Sequence, residues 1–188
     1  MQNTMRRVRG ITLIETMMAL AVLAILIATA APAFGNLISS TDAQTSRSTL
    51  TTALETARIL AVSRSAHVAV CPSTDRQHCG HTTEWQQGWI VFIDADHDGA
   101  RDESEEIITV NEALPDRVAI LTSAGRTHVE YRPDGSSPGS NVTFTVCDVR
   151  GADQASSLVI NNAGRVRPGK PTAKAAAACE DALAQPSA

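Results

Sequence analysis

The sequence predicts an α+β protein in which a long N-terminal helix, transmembrane in its first half, packs on antiparallel β-sheet. Two observations predict this class. In the 21 residues from Ile11 to Ala31, Glu15 is the only charged side chain, and after Arg64 the chain changes to short β-type runs between Gly, Pro, Asn and Asp. The 188 residues leave room for an anchor and one ordinary domain, and a hydrophobic content of 43% argues against a disordered chain.

The apolar segment is long enough to cross a membrane. As a helix it extends about 31 Å, which is about the thickness of the hydrocarbon core of a bilayer. Arg6, Arg7 and Arg9 precede it, and cations at this end of a span hold the N-terminus in the cytoplasm. We therefore expect the rest of the chain on the far side of the membrane, where disulfides form.

The second half of the helix is predicted from apolar residues that only partly follow helical spacing, with Ser and Thr between them. The helix should run from about residue 12 to about residue 64, with a weak stretch near residues 39–47. The apolar positions are Phe34, Leu37, Ile38, Leu50, Leu54, Ala57 and Ala61.

Seven short runs after residue 64 are predicted to be strands. In one of them Val142, Phe144 and Val146 alternate with polar or small residues, which is the period of a strand with one buried face. The runs are His67 to Cys71, Gly88 to Asp94, Glu106 to Asn111, Val118 to Thr122, His128 to Arg132, Asn141 to Asp148 and Ser157 to Asn161.

Glu15 is costly in a membrane, by about 2.5 to 3.5 kcal/mol at the centre of a span, and therefore needs a partner. The string RG-ITLIE around it, Arg9 to Glu15, resembles the prepilin leader of type IV pilins and type II secretion pseudopilins. The resemblance implies cleavage by a prepilin peptidase between Gly10 and Ile11, methylation of the new amino terminus, and pairing of Glu15 with the amine of a neighbouring subunit during assembly. Pro32 also fits the pilin pattern, where it bends the helix, whereas Ile11 replaces the usual phenylalanine.

A conventional signal peptide is the alternative for this segment, because Ala28-Thr29-Ala30 and Ala31-Pro32-Ala33 look like small-residue cleavage sites. The mass of the mature chain distinguishes the two possibilities.

The order of motifs along the rest of the chain resembles the GspH/FimT family of minor pilins and pseudopilins. The features are a CPS turn at Cys71 with Cys79 nearby, the string QGWIVFIDADHDG, the string EEIITV, and a last strand that leads into GRVR. The resemblance implies a type IV pilin-like fold. It divides the chain into a leader (1–10), a transmembrane half-helix (11–31), a periplasmic half-helix (32–64) and a β-rich head with a disulfide-tied tail (65–188).

Four cysteines allow three disulfide pairings. Cys71 and Cys79 enclose a short loop, so we favour their local pairing, which leaves Cys147 and Cys179 to tie the tail to the sheet. A zinc site is the alternative, formed by Cys71, His78, Cys79 and His81, although its spacing is uncommon and an oxidising compartment disfavours free thiolates.

The loop DADHDGARDESE has the ligand spacing of an EF-hand calcium loop, with Gly99 at its sixth position. The flanking runs are β-type rather than helical, so a solvated hairpin turn is the alternative. The side chains that would hold calcium are Asp94, Asp96, Asp98, Asp102 and Glu105. No other cofactor is expected.

The tail concentrates positive charge in an acidic chain. Removal of the leader leaves 13 of the 16 Lys and Arg side chains against 20 Asp and Glu, a net charge of −7. No carboxylate lies between Asp153 and Glu180, a segment that contains four cations: Arg165, Arg167, Lys170 and Lys174.

Arg165 and Arg167 flank Val166, so on an extended segment both guanidinium groups point the same way and suit phosphate oxygens. The string GRVR, which begins at Gly164, matches the G-R-x-R motif associated in FimT-type minor pilins with DNA binding during natural transformation. A solvated surface and a packing site for another pilin are the alternatives. Lys170 and Lys174 extend the motif on electrostatic grounds.

The resulting hypothesis is a minor type IV pilin that binds double-stranded DNA without regard to sequence and supports its uptake. The alternative is a structural minor pilin, or a pseudopilin of type II secretion, that primes fibre assembly. We identify no catalytic constellation and do not expect an enzyme. The expected partners are DNA, other minor and major pilins, and the prepilin peptidase. The protein should begin as a single-pass inner-membrane protein with a periplasmic C-terminal domain and then enter an extracellular fibre.

Overall fold

The computed structural model describes Gly10, residues 12–139 and residues 141–184, and this part of the chain forms two compact units that divide between Ile38 and Ser39. Most of the predicted leader and Ile11 lie outside the described residues. The elements are α1 (Leu13–Arg64), β1 (Val68–Pro72), β2 (Trp89–Ile93), β3 (Ile107–Asn111), β4 (Val118–Thr122), β5 (Val129–Tyr131), β6 (Val142–Asp148), a 3-10 helix (Ala152–Gln154), β7 (Ser156–Ile160), β8 (Val166–Gly169) and α2 (Ala173–Ala184).

The N-terminal unit contains the first half of α1. Thr12 begins the helix by accepting a hydrogen bond on Oγ1 from the backbone N–H of Glu15, at 3.3 Å. The helix continues through Pro32, which has no N–H to donate to the carbonyl of Ala28. By length and composition α1 can cross a membrane, and its most apolar 18-residue window, with a mean hydropathy of 2.3, is exposed throughout. The side chains of this window are therefore not part of the hydrophobic core that the structure describes.

The second unit contains two four-stranded antiparallel sheets. The first has the order β3-β2-β1-β5 and the second has the order β4-β6-β7-β8. The inner faces of both sheets and one face of α1 contribute to a single buried cluster. Leu50, Leu54, Ala57 and Ala61 recur at helical spacing on the buried face of α1. Burial of this face explains why the helix forms in water in spite of its Ser and Thr residues.

The structure confirms the fold class and the seven predicted strands, and corrects two expectations. The stretch at residues 39–47 is helical like its neighbours, because Ser39 and Ser46 are buried on the packed side of α1. The tail after Asn161, in which no strand or helix was predicted, contains both β8 and α2. Strand β8 forms by pairing with β7. Helix α2 buries Ala176 and Cys179, and Cys179 packs against Ala119 and Cys147 of the second sheet.

Both predicted disulfides are present, and no described cysteine is free. Cys71 is bonded to Cys79 across a separation of eight residues, and Cys147 is bonded to Cys179 across 32 residues. The zinc alternative is therefore wrong for the folded chain, because the two sulfur ligands it needs are bonded to each other. The second disulfide fixes α2 to strand β6, so the tail is covalently attached to the second sheet.

Candidate functional site

The GRVR string ends the turn of the β7–β8 hairpin and begins strand β8. The N–H of Gly164 donates to the carbonyl of Asn161 at 2.8 Å, and the N–H of Arg165 donates to Oδ1 of Asn161 at 3.1 Å. Among the strands that the structure describes, β8 pairs with β7 alone, so it forms one edge of the second sheet. The hairpin thus places both arginines at a sheet edge.

Gly164 is required by the packing of this turn. Its φ is +71°, and a Cβ there would lie 2.1 Å from the carbonyl oxygen of Gly135. The same oxygen accepts a hydrogen bond from Nε of Arg58 at 2.9 Å. The glycine of the motif therefore lets the hairpin dock against a turn that α1 also holds.

Arg165 and Arg167 are both exposed, whereas Val166 between them is half-buried and packs against the main core. Arg167 pairs in register with Val159, and directly opposed residues share a face of a sheet. Neither arginine forms an ion pair with any residue that the structure describes. Both guanidinium groups are thus available at this edge of the second sheet.

Lys170 and Lys174 are also exposed, and they line a groove of about 530 Å³ between α2 and the outer face of the second sheet. Val159, the register partner of Arg167, lines the same groove. Lys174 lies in the first turn of α2, where the helix dipole does not favour a cation. Helix stability therefore gives no reason for this lysine.

Arg47 is a candidate that the sequence analysis missed. It lines a groove of about 620 Å³ between α1 and β8 together with Arg167. Glu55 lines the same groove and places one negative charge beside the hairpin. No sequence signal connects a helical arginine to a motif 120 residues later, because the tertiary fold creates this proximity.

The acidic loop brings together only part of the predicted calcium set. The carboxylate oxygens of Asp94, Asp96 and Glu105 lie within 4.8 Å of one another, whereas Asp98 and Asp102 do not join them. Asp94 accepts hydrogen bonds from the N–H groups of residues 97 and 99, at 2.8 and 3.1 Å. Burial raises the pKa of Asp94 above its ordinary value, and the charges of Glu105 and Glu130 add to this effect. Calcium at this loop stays a prediction.

The residues predicted for processing and assembly lie at the start of the described chain. Gly10 is exposed, and α1 begins three residues later, at Leu13. Glu15 lies in the first turn of α1, where the N-terminal end of the helix dipole favours a carboxylate. The processing and assembly roles of these residues stay predictions.

Two family models match the chain. The model of the type II transport protein GspH matches residues 47–164, and that of the prokaryotic N-terminal methylation motif matches residues 5–31. The first match covers more than half of the chain and ends at Gly164. Arg165 and Arg167 lie beyond it.

The fold is also found in solved structures. The chain is similar to the type IV minor pilin FimU of Pseudomonas aeruginosa, at 19% identity and a TM-score of 0.50 over 70% of this chain and 94% of that one. A second crystal form of FimU gives 18% identity and a TM-score of 0.51 over 74% and 92% of the two chains. The chain is also similar to the minor pseudopilin EpsH of the Vibrio cholerae type 2 secretion system, at 12% identity and a TM-score of 0.49. This similarity covers 69% of this chain and 98% of EpsH. No curated protein matches the chain by sequence.

The family assignment rests on the matched sequence of the helix and head, and the FimU structures support the same fold. This family consists of structural pilins and pseudopilins rather than enzymes. The chain belongs to the GspH/FimT-type family of minor pilins and pseudopilins.

Proposed function

We propose that this minor pilin binds double-stranded DNA through the β7–β8 hairpin and supports DNA uptake. The observation that supports the proposal is the pair of exposed arginines, Arg165 and Arg167, at the start of an edge strand and without a described ion-pair partner. Lys170 and Lys174 border the adjacent groove. The surface is cationic although the processed chain is acidic.

The chemistry of these side chains favours phosphate over bases. Guanidinium groups donate in a planar fork that matches phosphate oxygens. Contacts to phosphates position a protein on DNA but carry no sequence information. The hairpin should therefore bind DNA of any sequence, as a protein that takes up environmental DNA requires.

The proposed location follows from the N-terminal segment. Residues 11–31 would anchor the chain in the inner membrane with the head in the periplasm, because Arg6, Arg7 and Arg9 keep the N-terminus in the cytoplasm. Pairing of Glu15 with the amine of a neighbouring subunit would then place the head in a fibre. The hairpin would be exposed to DNA outside the cell.

The salt dependence of DNA affinity tests the proposal. Four phosphate contacts predict that the logarithm of the association constant falls with the logarithm of salt concentration with a slope of about −3.6. The measurement is fluorescence anisotropy of the full chain in a nonionic detergent with two labelled duplexes of unrelated sequence. A slope near zero, or a strong preference for one duplex, would contradict phosphate binding at this hairpin.

Processing is predicted at the bond between Gly10 and Ile11. The mature chain should begin with an N-methylated Ile11, since the N-terminal methylation motif spans the leader and the apolar segment. Intact-mass analysis of the protein from its native membrane measures this directly. A mature chain that begins at Ala31 or Phe34 would instead indicate a signal peptide and would remove the pilin anchor.

The second candidate is a pseudopilin that primes fibre assembly in type II secretion without binding DNA. The match to the type II transport protein GspH over residues 47–164 favours it. The two candidates differ in what the arginines do. Only the DNA-binding pilin needs Arg165 and Arg167 for a function other than assembly.

A further inference from the structure

Two histidines and a glutamate meet on the outer side of the first sheet. Possible ligand atoms of His67, His97 and Glu130 all lie within 4.8 Å of one another. His67 directly precedes β1, Glu130 lies on β5, and His97 belongs to the acidic loop. The cluster therefore joins three segments that are distant in sequence.

The sheet register brings the first two of these side chains together. Glu130 pairs with Ala69, and His67 lies two residues before Ala69, so both side chains belong to the same face. Nδ1 of His67 is hydrogen-bonded to Oε1 of Glu130. The outer face of β1 and β5 thus presents an imidazole beside a carboxylate.

The acidic loop places the third side chain over this pair. The N–H of Asp94 donates to the carbonyl of His67 at 3.1 Å, which fixes the start of the loop beside β1. Gly99 packs so closely that a Cβ would lie 2.6 Å from Nε2 of His128. Between these two contacts His97 adopts a φ of +67°, and its ring centroid lies 3.6 Å from that of His67.

The cluster brings together the ligand types that hold a metal ion. Imidazole nitrogens and a carboxylate oxygen lie within 4.8 Å of one another, and imidazole nitrogens are common metal ligands. Asp94 and Glu105 are buried nearby in the same loop, so negative charge is concentrated around the cluster. A divalent ion would offset that charge.

We propose that His67, His97 and Glu130 bind a divalent transition metal ion, for which Zn²⁺ is the first choice. Two imidazoles and one carboxylate are ligands that suit Zn²⁺, Cu²⁺ and Ni²⁺, whereas calcium takes oxygen ligands. Bound metal would attach the acidic loop to β1 and β5. The site uses none of the residues of the DNA-binding hairpin, so it does not depend on the proposed function.

Zinc titration of the full chain tests this site. The protein is purified in a nonionic detergent without a polyhistidine tag, and binding of ZnCl₂ is measured by calorimetry. We expect saturable binding of one Zn²⁺ per chain, and His97→Asn should lower the affinity at least about tenfold, since even partners of metal ligands contribute 10- to 100-fold. Asparagine tolerates a positive φ, so this variant keeps the loop backbone.

His81→Asn is the matched control. His81 is another exposed histidine and does not belong to the cluster, so this variant should bind zinc like the wild-type chain. Visible absorption of bound Co²⁺ supplies a second measurement, with loss of the spectrum expected in His97→Asn and in Glu130→Gln. Circular dichroism of the metal-free variants verifies that they remain folded.

Three outcomes would overturn the proposal. The first is a lack of saturable zinc binding by the wild-type chain, which would leave a simple His67–Glu130 hydrogen bond. The second is equal zinc affinity in His97→Asn and wild type. The third is displacement of zinc by an equal concentration of Ca²⁺, which would assign the ion to the oxygen ligands Asp94, Asp96 and Glu105.

Discussion

Changing both Arg165 and Arg167 to glutamine should weaken DNA binding about 30-fold at about 0.15 M salt. Each phosphate contact adds about −0.9 to the salt slope, so the loss of two contacts should change the slope from about −3.6 to about −1.8. Both side chains are exposed at an edge strand, so the substitution should leave the fold intact. Anisotropy titrations of the full chain at several salt concentrations give both quantities.

A matched double variant separates the hairpin from the overall charge. Arg64→Gln with Arg76→Gln removes the same two positive charges from exposed side chains, which are 46% and 61% accessible. Arg64 pairs with Glu106 and Arg76 pairs with Glu112. All four residues lie outside the β7–β8 hairpin. We expect affinity close to wild type. Equal weakening by the two double variants would mean that binding reflects net charge alone.

Replacing Gly164 with alanine should lower the free energy of unfolding by about 2 to 5 kcal/mol. A left-handed backbone costs a non-glycine residue about 1 to 2 kcal/mol, and overpacking adds about 1 to 3 kcal/mol. The overlap is with the backbone carbonyl of Gly135, at 2.1 Å, so no side-chain rotation relieves it. Urea unfolding is followed by tryptophan fluorescence, because Trp85 and Trp89 are both fully buried in the head.

Gly125→Ala is the control for this prediction. Gly125 has nearly the same φ, +75°, but a Cβ there would have no heavy atom within 4 Å. Only the backbone cost of about 1 to 2 kcal/mol should remain. If the two alanine variants unfold at the same urea concentration, the close contact between the hairpin and Gly135 does not stabilise the head.

Local patterns were sufficient to predict the helix and seven of the strands. Val142, Phe144 and Val146 show why: their alternation reflects one buried face, and β6 indeed lies inside the second sheet. The cysteine pairs were also predictable, since the short separation of Cys71 and Cys79 favoured local pairing. The helix, the seven strands and the Cys71–Cys79 bond depend on residues that are close in sequence, and the Cys147–Cys179 bond then follows by elimination.

Strand β8 and helix α2 could not be predicted in the same way. Pro168 and Gly169 have low strand propensity, and β8 forms because the turn at Gly164 returns the chain to β7. Helix α2 contains seven alanines in 12 residues, which gives it high helix propensity but no clear apolar face, and the Cys147–Cys179 bond fixes it to the sheet. Three other features depend on contacts between segments that are distant in sequence. They are the division into two sheets, the proximity of Arg47 to Arg167, and the histidine cluster.

The most direct test of the central claim is to measure natural transformation and pilus number in the same cells, with the gene changed only at Arg165 and Arg167. We predict that the double glutamine variant loses DNA uptake and keeps a wild-type number of pili, because the proposed function assigns the two side chains to DNA and not to the fibre. Transformation at the wild-type frequency would contradict the account. Loss of pili together with uptake would instead assign the hairpin to assembly.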